Sequence, residues 1–348
     1  MVKKQSGMVW FLGIFLTVTL FTAVALGKGF VIAVSNGYIG NSWRTQMIAA
    51  IEELGKKYQE MGIVDRIIVK NSGLDIQAQI ADFRNLMNMQ PDAILLNPNS
   101  PDALNPAIEE AVSRGILVLA IDQPVTSEEV ACNVTINQYE WGKKLAEWTV
   151  EKLNGRGKII RIDGLAGHPA NVERVKGATD VYKNYPEIQI VATANGDWDQ
   201  ARAQQVMSNL LAAHPDVDGV QSQDGMALGV IRAYLASGQT LPKVLTGETM
   251  VAFLREWKRL KDEMDFDTIG ITNPPGAAGA LGLGFAVRLL QGKQFKPGVL
   301  RDGKYYYIPV MVVTNENFDQ LYETVKDKED SYFLDQIPTE EELDALFQ

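Results

Sequence analysis

Short apolar runs and amphipathic segments alternate along most of the chain. The first pair is the apolar run at 30–34 (FVIAV) and a segment at 43–59 whose apolar residues recur three or four positions apart. A continuous apolar run of this length is typical of a strand buried on both faces, and the second spacing is typical of a helix packed on a sheet. The pattern therefore predicts a strand and a helix joined by the polar loop between them.

The same alternation continues in two blocks. In the first block it predicts strands at 65–70, 93–96 and 117–121 and helices at 75–89 and 103–114. In the second block it predicts strands at 158–162, 188–192, 219–222, 243–246, 270–272 and 305–313 and helices at 141–153, 172–185, 199–213, 227–237, 251–259, 277–290 and 340–346. Strands that alternate with helices form a parallel sheet with helices on both faces. We therefore expect an α/β fold of two doubly wound, Rossmann-like units with a short junction near 131–138.

The first 27 residues have the layout of a secretory signal. Two lysines precede an uncharged stretch at 5–26, small residues follow, and charge resumes at Lys28. We expect cleavage after Gly27, or two residues earlier, and export to the periplasm. The alternative is an uncleaved membrane anchor, because the apolar run at 8–26 is nearly long enough to span a bilayer.

Composition narrows the class of function. The chain has 348 residues, of which 46% are hydrophobic, so two domains with large cores are expected. A formal net charge of −10 argues against nucleic acid as the main partner. The single cysteine, Cys132, excludes an internal disulfide, and no cysteine lies at the predicted cleavage site to carry a lipid.

The sequence gives little support to an enzyme or to a bound cofactor. It contains no G-x-G-x-x-G after a predicted strand, no phosphate-binding G-x-x-x-x-G-K-[ST] and no G-x-S-x-G. The two histidines, His168 and His214, form no Cys/His cluster that would bind a metal. We therefore expect no cofactor, no metal and no catalysis, although chemistry by carboxylates alone remains an alternative.

Polar and aromatic side chains are concentrated where the predicted strands end. Because ligands of α/β proteins bind beyond the carboxyl ends of parallel strands, these side chains are candidates for a binding site. In the first unit they are Asn36, Tyr38, Asn41, Trp43, Arg44, Asp122 and Gln123. In the second unit they are Arg174, Trp198, Gln223, Asp224 and Glu248, with Asn273 near a return crossing between the units.

This combination of side chains suits a small neutral sugar or polyol. Each hydroxyl of such a ligand both donates and accepts a hydrogen bond, so carboxylate, amide and guanidinium groups can satisfy it from opposite sides. The apolar C–H face of a sugar ring packs against tryptophan or tyrosine. The candidate residues therefore predict a site for a polyhydroxylated ligand.

Each candidate also has a purely structural interpretation. Trp43 could be a packing residue, and Arg44 could pair with a neighbouring carboxylate. Glu248 could cap the helix that follows it, while Gln223 and Asp224 could do no more than shape a loop. Only their arrangement in space decides between these interpretations.

Four stretches of the chain resemble one protein family. They are VMSNLLAAHPDVDGVQSQDGMALGVIRAYLASG at 206–238, GLAGHPANVERVKG, LAIDQPV and GNSWRTQM. The first is specific over its length, and the other three add to it. On these stretches the chain after the predicted signal resembles the periplasmic sugar-binding proteins of ABC transporters, in the ribose- and galactose-binding group.

The resemblance implies two Rossmann-like lobes joined by a three-stranded hinge, the type I periplasmic binding protein fold. It places the first lobe at 28–136 plus 273–310 and the second at 137–272 plus 311–348. The ligand would lie in the cleft between the lobes, and lobe closure would present it to a membrane permease. The sugar contacts of the family carry over to Asn36, Trp43, Asp122, Arg174, Trp198, Gln223 or Asp224, Glu248 and Asn273.

The chain departs from the ribose-binding pattern at three places. Gln123 follows Asp122 where ribose binders have an arginine, and Glu248 stands where an aspartate is usual. Residues 41–44 read Asn-Ser-Trp-Arg in place of consecutive phenylalanines. These departures point away from ribose itself, while a monosaccharide or polyol stays the expected ligand.

Three other functions share parts of this signature. A sensor that presents its ligand to a chemoreceptor or histidine kinase would have the same sequence features. A repressor effector domain is disfavoured by the predicted signal, and an α/β enzyme by the missing motifs. We therefore expect a monomeric periplasmic binding protein, not an enzyme, that delivers a sugar or polyol to an ABC transporter permease.

Overall fold

The computed structural model describes residues 28–348, so the predicted signal at 1–27 lies outside the described residues. No helix within 28–348 is long and apolar enough to cross a bilayer. Strands and helices alternate in this range largely as the apolar pattern predicts.

Twelve strands form within the described range. They are β1 (Phe30–Asn36), β2 (Val64–Asn71), β3 (Ala93–Asn97), β4 (Leu117–Ile121), β5 (Asn133–Thr135), β6 (Gly157–Asp163), β7 (Ile188–Asn195), β8 (Gly219–Ser222), β9 (Val244–Gly247), β10 (Ile269–Ile271), β11 (Tyr305–Tyr307) and β12 (Val312–Val313). Strands such as β3 and β4 are apolar at nearly every position because helices cover both faces of the sheet.

Eleven helices lie between these strands or after them in the described range. They are α1 (Ser42–Glu60), α2 (Ile76–Asn88), α3 (Asn105–Ser113), α4 (Gln138–Lys152), α5 (Pro169–Tyr182), α6 (Gln200–Ala213), α7 (Ala227–Ser237), α8 (Val251–Met264), α9 (Pro275–Leu290), α10 (Phe318–Glu323) and α11 (Glu340–Ala345). Polar side chains accept backbone N–H groups at the first turn of several of them, including Asn41 at α1 and Asp199 at α6.

The strands form two six-stranded sheets with equivalent strand orders. The first sheet runs β11-β5-β4-β3-β1-β2 and the second runs β12-β10-β9-β8-β6-β7. The paired strands are parallel except β12, which is antiparallel to β10. The strand order reverses beside β1 and beside β6, where ligands bind in doubly wound sheets. The expected α/β fold with two doubly wound lobes is confirmed.

Within residues 28–348 the chain crosses between the two sheets four times. The three crossings implied by the resemblance are 136–137 before α4, 272–274 before α9 and 308–311 before β12. A fourth crossing at 333–335 returns the chain to the first lobe, where α11 packs on α9. The single strand predicted at 305–313 is wrong, because the third crossing divides it into β11 in the first sheet and β12 in the second.

The end of the chain lies on the first lobe and not on the second, where we expected all of 311–348. Leu343 of α11 is fully buried over the backbone of α9, and Phe347 is buried in the same core. Arg288 of α9 forms an ion pair with Glu340 at 2.9 Å. The apolar spacing of α11 shows that one face is buried, but it does not indicate which lobe covers that face.

Helices α4 and α5 of the second lobe pack with their backbones in contact. A Cβ added to Gly142 would lie 2.1 Å from the carbonyl oxygen of Arg174, and one added to Gly177 would lie 2.1 Å from that of Tyr139. Only glycine permits this approach. The contact fixes the backbone of Arg174, whose side chain is a predicted ligand contact.

We expect Gly142→Ala to lower the free energy of unfolding by about 1–3 kcal/mol, the usual cost of overpacking. Helix propensity alone predicts the opposite sign, because alanine stabilises a helix interior over glycine by roughly 0.5–1 kcal/mol. Urea denaturation followed by circular dichroism distinguishes the two. Lys144→Ala, at an exposed position of the same helix, is the control, and equal stability of both variants would contradict the backbone contact.

Candidate functional site

A cavity of about 300 Å³ lies between the two lobes. It is bounded by loops at the carboxyl edges of both sheets and by residues of the crossings. Its volume is at the lower end of the range for small-molecule sites, ~300–1,000 Å³. The residues that line it are Gly40, Asn41, Ser42, Trp43, Arg44, Asp122, Gln123, Gln138, His168, Ala170, Arg174, Trp198, Asp199, Gln200, Asp224, Gly225, Met250, Asn273 and Phe333.

The start of α1 supplies the first wall of the cavity. Asn41 accepts the backbone N–H of Arg44 at 3.0 Å, which fixes the first turn of the helix. The guanidinium of Arg44 lies 5.7 Å from the ring centroid of Trp43, and its Nη2 lies 3.1 Å from Oδ2 of Asp122. Gln123 follows Asp122 and also lines the cavity. Five predicted ligand residues therefore form one continuous surface on the first lobe.

Asp122 has an unusual backbone conformation at the end of β4. Its φ is +63°, in the left-handed region that residues other than glycine rarely adopt. Burial raises the pKa of Asp122, and the guanidinium of Arg44 acts against that shift. Backbone strain of this kind persists only where the surrounding structure enforces it, and it is concentrated at binding and catalytic sites. The carboxyl group is therefore held beside the cavity together with its cation.

Arg174 is the centre of the second wall. Its side chain is almost fully buried, its Nε donates to Oε1 of Gln138 at 2.6 Å, and its Nη1 forms an ion pair with Asp224. The guanidinium also lies 4.0 Å from the ring centroid of Trp141, a cation–π contact. These contacts fix the plane of the guanidinium group, so its remaining N–H groups have a defined direction.

Trp198 is held against the second wall by its neighbours. Its φ of +57° is rare for a bulky residue. The ring packs on Gly164, where an added Cβ would lie 2.2 Å from the indole, and Nε1 donates to Oε1 of Gln223 at 3.1 Å. His168 meets the ring edge to face, with centroids 4.9 Å apart. The glycine that begins GLAGHPAN therefore makes room for a cavity residue 34 positions later.

Asn273, in the second crossing, joins the two walls. Its backbone oxygen accepts the indole N–H of Trp43 at 2.7 Å, and its side-chain amide donates to Oδ2 of Asp224 at 3.0 Å. A first-lobe tryptophan and a second-lobe carboxylate are therefore bound to one residue of the hinge. Trp43 is at once a buried packing residue and a wall of the cavity.

Two predicted residues of the first lobe do not line the cavity. Asn36 is fully buried, donates to Oδ1 of Asn71 at 2.8 Å and accepts from Nδ2 of Asn97 at 3.2 Å. Tyr38 packs on Gly40 in the same loop. Both residues shape the β1–α1 loop in this structure and do not face its cavity.

Gln223 and Glu248 lie one layer behind the second wall. Gln223 accepts from Trp198 and donates to Asn171 at 2.9 Å, so both ends of its amide are used. Glu248 is completely buried, and neither carboxyl oxygen has a hydrogen bond of good geometry within the described residues. Burial, and after it the carboxylate of Asp224, raises the pKa of Glu248 to about 8, although nearby backbone N–H groups limit the shift. Glu248 is therefore largely protonated at neutral pH.

Several residues in the cavity were not indicated by the sequence. Gln138 belongs to the first junction, Met250 follows β9, and His168 precedes α5 in the loop after β6. The strand-end rule that selected the other candidates would also have found Met250 and His168. Phe333 comes from the fourth crossing, and no pattern in the sequence points to it.

His168 is a neutral hydrogen-bond donor in this setting. Burial, and after it the positive charges of Arg44 and Arg174, lowers the pKa of His168 to about 4. Its Nδ1 accepts the backbone N–H of Ala170 at 3.3 Å. A neutral imidazole that accepts at Nδ1 carries its proton on Nε2. His168 therefore adds a donor to the second wall without adding charge.

The buried ionised groups of the cavity balance in charge. Arg44 faces Asp122 on one wall and Arg174 faces Asp224 on the other, while the buried histidine and glutamate are neutral. Within the described part of the chain, Nη1 of Arg44 and Oδ1 of Asp224 are buried without a hydrogen-bond partner. Such groups are costly to leave unpaired. The two ion pairs therefore leave no net charge among the buried ionised groups that line the cavity.

The family model of the periplasmic binding protein domain matches residues 32–294, well over half of the chain. The chain belongs to this family. The match covers strands of both sheets and agrees with the resemblance found in the sequence.

This periplasmic binding protein has relatives of named specificity. It is 29% identical over 215 residues to the ribose import binding protein of Bacillus subtilis (strain 168), with 62% of this chain and 68% of the relative covered. It is 27% identical over 262 residues to the xylitol-binding protein of Mycolicibacterium smegmatis, with 74% and 71% covered. An ABC transporter solute binding protein from Thermobispora bispora has a similar structure, with a TM-score of 0.80, 28% identity and coverage of 91% of this chain and 94% of that one.

We expect the stability of this periplasmic binding protein to fall as the pH rises from about 4.5 to about 8, because Glu248 keeps its proton in the folded state and loses it in the unfolded chain. This one group lowers the free energy of unfolding by up to about 1.4 kcal/mol per pH unit. The Glu248→Gln variant lacks this titrating group. The urea midpoint of wild type, measured relative to that of the variant, should therefore fall as the pH rises across that range. Parallel pH profiles would contradict the buried acid, and Glu187→Gln, at an exposed position, is the matched control.

Proposed function

We propose that this protein binds a monosaccharide or polyol between its lobes and delivers it to the permease of an ABC transporter. The observation that carries the proposal is the pair of charge-balanced walls, Arg44 with Asp122 and Arg174 with Asp224, facing one small cavity. The proposed ligand contacts are Asn41, Trp43, Arg44, Asp122, Gln123, Gln138, His168, Arg174, Trp198, Asp224 and Asn273. Glu248 and Gln223 would support them from behind, and Asn36 and Tyr38 would shape the loop.

The polar chemistry of the walls favours a neutral ligand with several hydroxyl groups. An anion or a cation would be attracted to one partner of each ion pair and repelled by the other, so it would gain little. A hydroxyl group both donates and accepts, so it can pair with a carboxylate or a guanidinium group without a charge of its own. Trp43 and Trp198 provide faces for the C–H groups of a ring.

The named relatives support the same ligand class. Their names give ribose, xylitol and, for a relative in Escherichia coli that is 27% identical over 254 residues, D-allose. All three are small, neutral and polyhydroxylated. Because identity is below 30% in each case, and because Gln123 and Glu248 depart from the ribose pattern, we extend the class to this chain and not the individual sugar.

Capture would depend on lobe closure. A ligand held by both walls stabilises the orientation in which the walls face each other, so binding shifts the open–closed equilibrium. Micromolar affinity corresponds to about −8 kcal/mol, which several charge-assisted hydrogen bonds and aromatic packing can supply. The closed form would present surfaces of both lobes to the permease. We propose that the protein acts as an exported monomer and returns its ligand unchanged.

A thermal-shift panel tests the ligand class. We expect at least one pentose, hexose, deoxysugar or polyol to raise the melting temperature, because a ligand at 100 times its Kd stabilises the folded state by about 2.7 kcal/mol. Matched concentrations of a neutral amino acid and of phosphate serve as controls for non-specific effects. A panel in which no sugar or polyol shifts the transition would contradict the proposal.

Two substitutions test the site. We expect Trp43→Ala and Asp122→Ala to weaken binding of the best sugar in the panel by about 2–5 kcal/mol, because each removes one partner of a buried polar contact. Isothermal titration calorimetry measures the affinity, and far-ultraviolet circular dichroism checks the fold. Asp102→Ala, an exposed aspartate of the same lobe, should bind normally. Unchanged affinity in both site variants would rule out this cavity as the site.

A further inference from the structure

We propose that Gln46 and Asp335 are positioning residues that fasten the fourth crossing to the first lobe and so set the geometry of the cleft. The inference rests on the proposed function, because the geometry of the cleft matters for ligand binding. Its main test requires no ligand. Neither residue lines the cavity. Both act through neighbours that do, namely Phe333, Trp43 and Asn273.

Gln46 binds the crossing as an adjacent strand would. Its Oε1 accepts the backbone N–H of Phe333 at 2.8 Å, and its Nε2 donates to the carbonyl of Phe333 at 3.0 Å. The same Nε2 lies 3.1 Å from Oδ2 of Asp335. Gln46 lies one turn after Trp43 on α1. The position of Phe333 is therefore tied to the helix that carries the first wall.

Asp335 caps a helix to which it does not belong. Helix α9 begins without a side-chain cap of its own, and its first N–H groups have no partner within the helix. Asp335 accepts the backbone N–H of Gly276 and, at 3.0 Å, that of Ala277. A Cβ on Gly276 would lie 2.8 Å from Oδ2 of Asp335, so glycine leaves room for this contact. The cap fixes the chain three residues after Asn273.

The crossing is also bound to the second lobe. Phe333 forms an antiparallel bridge with Met250, and the N–H of Leu334 donates to the carbonyl of Thr249 at 3.0 Å. Taken together, residues 333–335 therefore form hydrogen bonds to both lobes. Phe333 and Met250 also line the cavity. The segment therefore connects the cavity-lining parts of the two lobes directly. Without Gln46 and Asp335, the hydrogen bonds of residues 333–335 described above would reach only the second lobe.

The distance between the lobes in the absence of ligand tests this role. Cysteines introduced at Leu74 and Val172, exposed residues of the first and second lobes, take spin labels for double electron–electron resonance. Cys132 can stay in place, because it is completely buried and burial raises the pKa of its thiol to about 12. We expect Gln46→Ala and Asp335→Ala to shift the interlobe distances to longer values and to broaden their distribution.

Two further variants keep the test decisive. Gln59→Ala removes an exposed glutamine of the same helix with one hydrogen bond, and its distances should match wild type. Gln46→Glu keeps the size and the acceptor for Phe333 but loses the donor and places a second carboxylate beside Asp335, so it should shift the distances even if Gln46→Ala fails to fold. Wild-type distances in folded Gln46→Glu and Asp335→Ala would overturn the proposal.

A binding measurement tests whether the contacts of Gln46 and Asp335 affect ligand affinity, and it separates this inference from the proposed function. With D-ribose, D-allose, xylitol and myo-inositol as calorimetric probes, any probe that binds wild type should bind Gln46→Ala about tenfold more weakly, a loss of about 1.4 kcal/mol. Equal affinity would overturn the positioning role. If neither these probes nor the thermal-shift panel gives a ligand, the proposed ligand class fails, and the distance measurement still decides the role of Gln46 and Asp335.

Discussion

The buried ion pair between Arg174 and Asp224 is the interaction on which the cleft depends. Removing two charges from water is costly, and their attraction compensates for this only if further hydrogen bonds complete the arrangement. Gln138 and Asn273 supply hydrogen bonds to the two partners, and the ring of Trp141, in the same helix as Gln138, contacts the guanidinium group. Each also has to be placed by the backbone, which explains why α4 and α5 approach closely enough to need glycines. The polar contacts of the site therefore depend on the helix packing of the second lobe.

Most of the architecture could be predicted from apolar periodicity, because central strands covered on both faces must be apolar throughout. Asp122 and Arg174 could be predicted as cavity residues for a related reason: they follow such strands at the edge where ligands bind. Strand β5 escaped prediction because it has three residues and two of them, Asn133 and Thr135, are polar. Phe333 escaped because its place depends on a fourth crossing, which long-range packing of α11 decides.

The protonation states of the site residues likewise could not be predicted from the sequence. Glu248 and Asp122 both follow buried strands, yet one is predominantly neutral and the other is paired with a guanidinium group. The difference lies in burial and in which charges are within reach, and both depend on distances between residues far apart in the chain. The residue types indicated polar recognition, whereas the balance of charge that favours a neutral ligand became visible only with the lobes assembled.

The return of the chain to its first lobe has a consequence for the order in which the two lobes can fold. The first lobe begins at Phe30 but includes Phe347 in its core, so the segments that form the second lobe are synthesised in between. The first sheet is complete once β11 has formed, but the layer that covers α9 is completed only when the segment with Leu343 and Phe347 has returned from the second lobe. Removal of α11 would then expose the apolar surface of α9 that Leu343 covers. The packing of the first lobe therefore depends on residues that follow nearly all of the second lobe in the sequence.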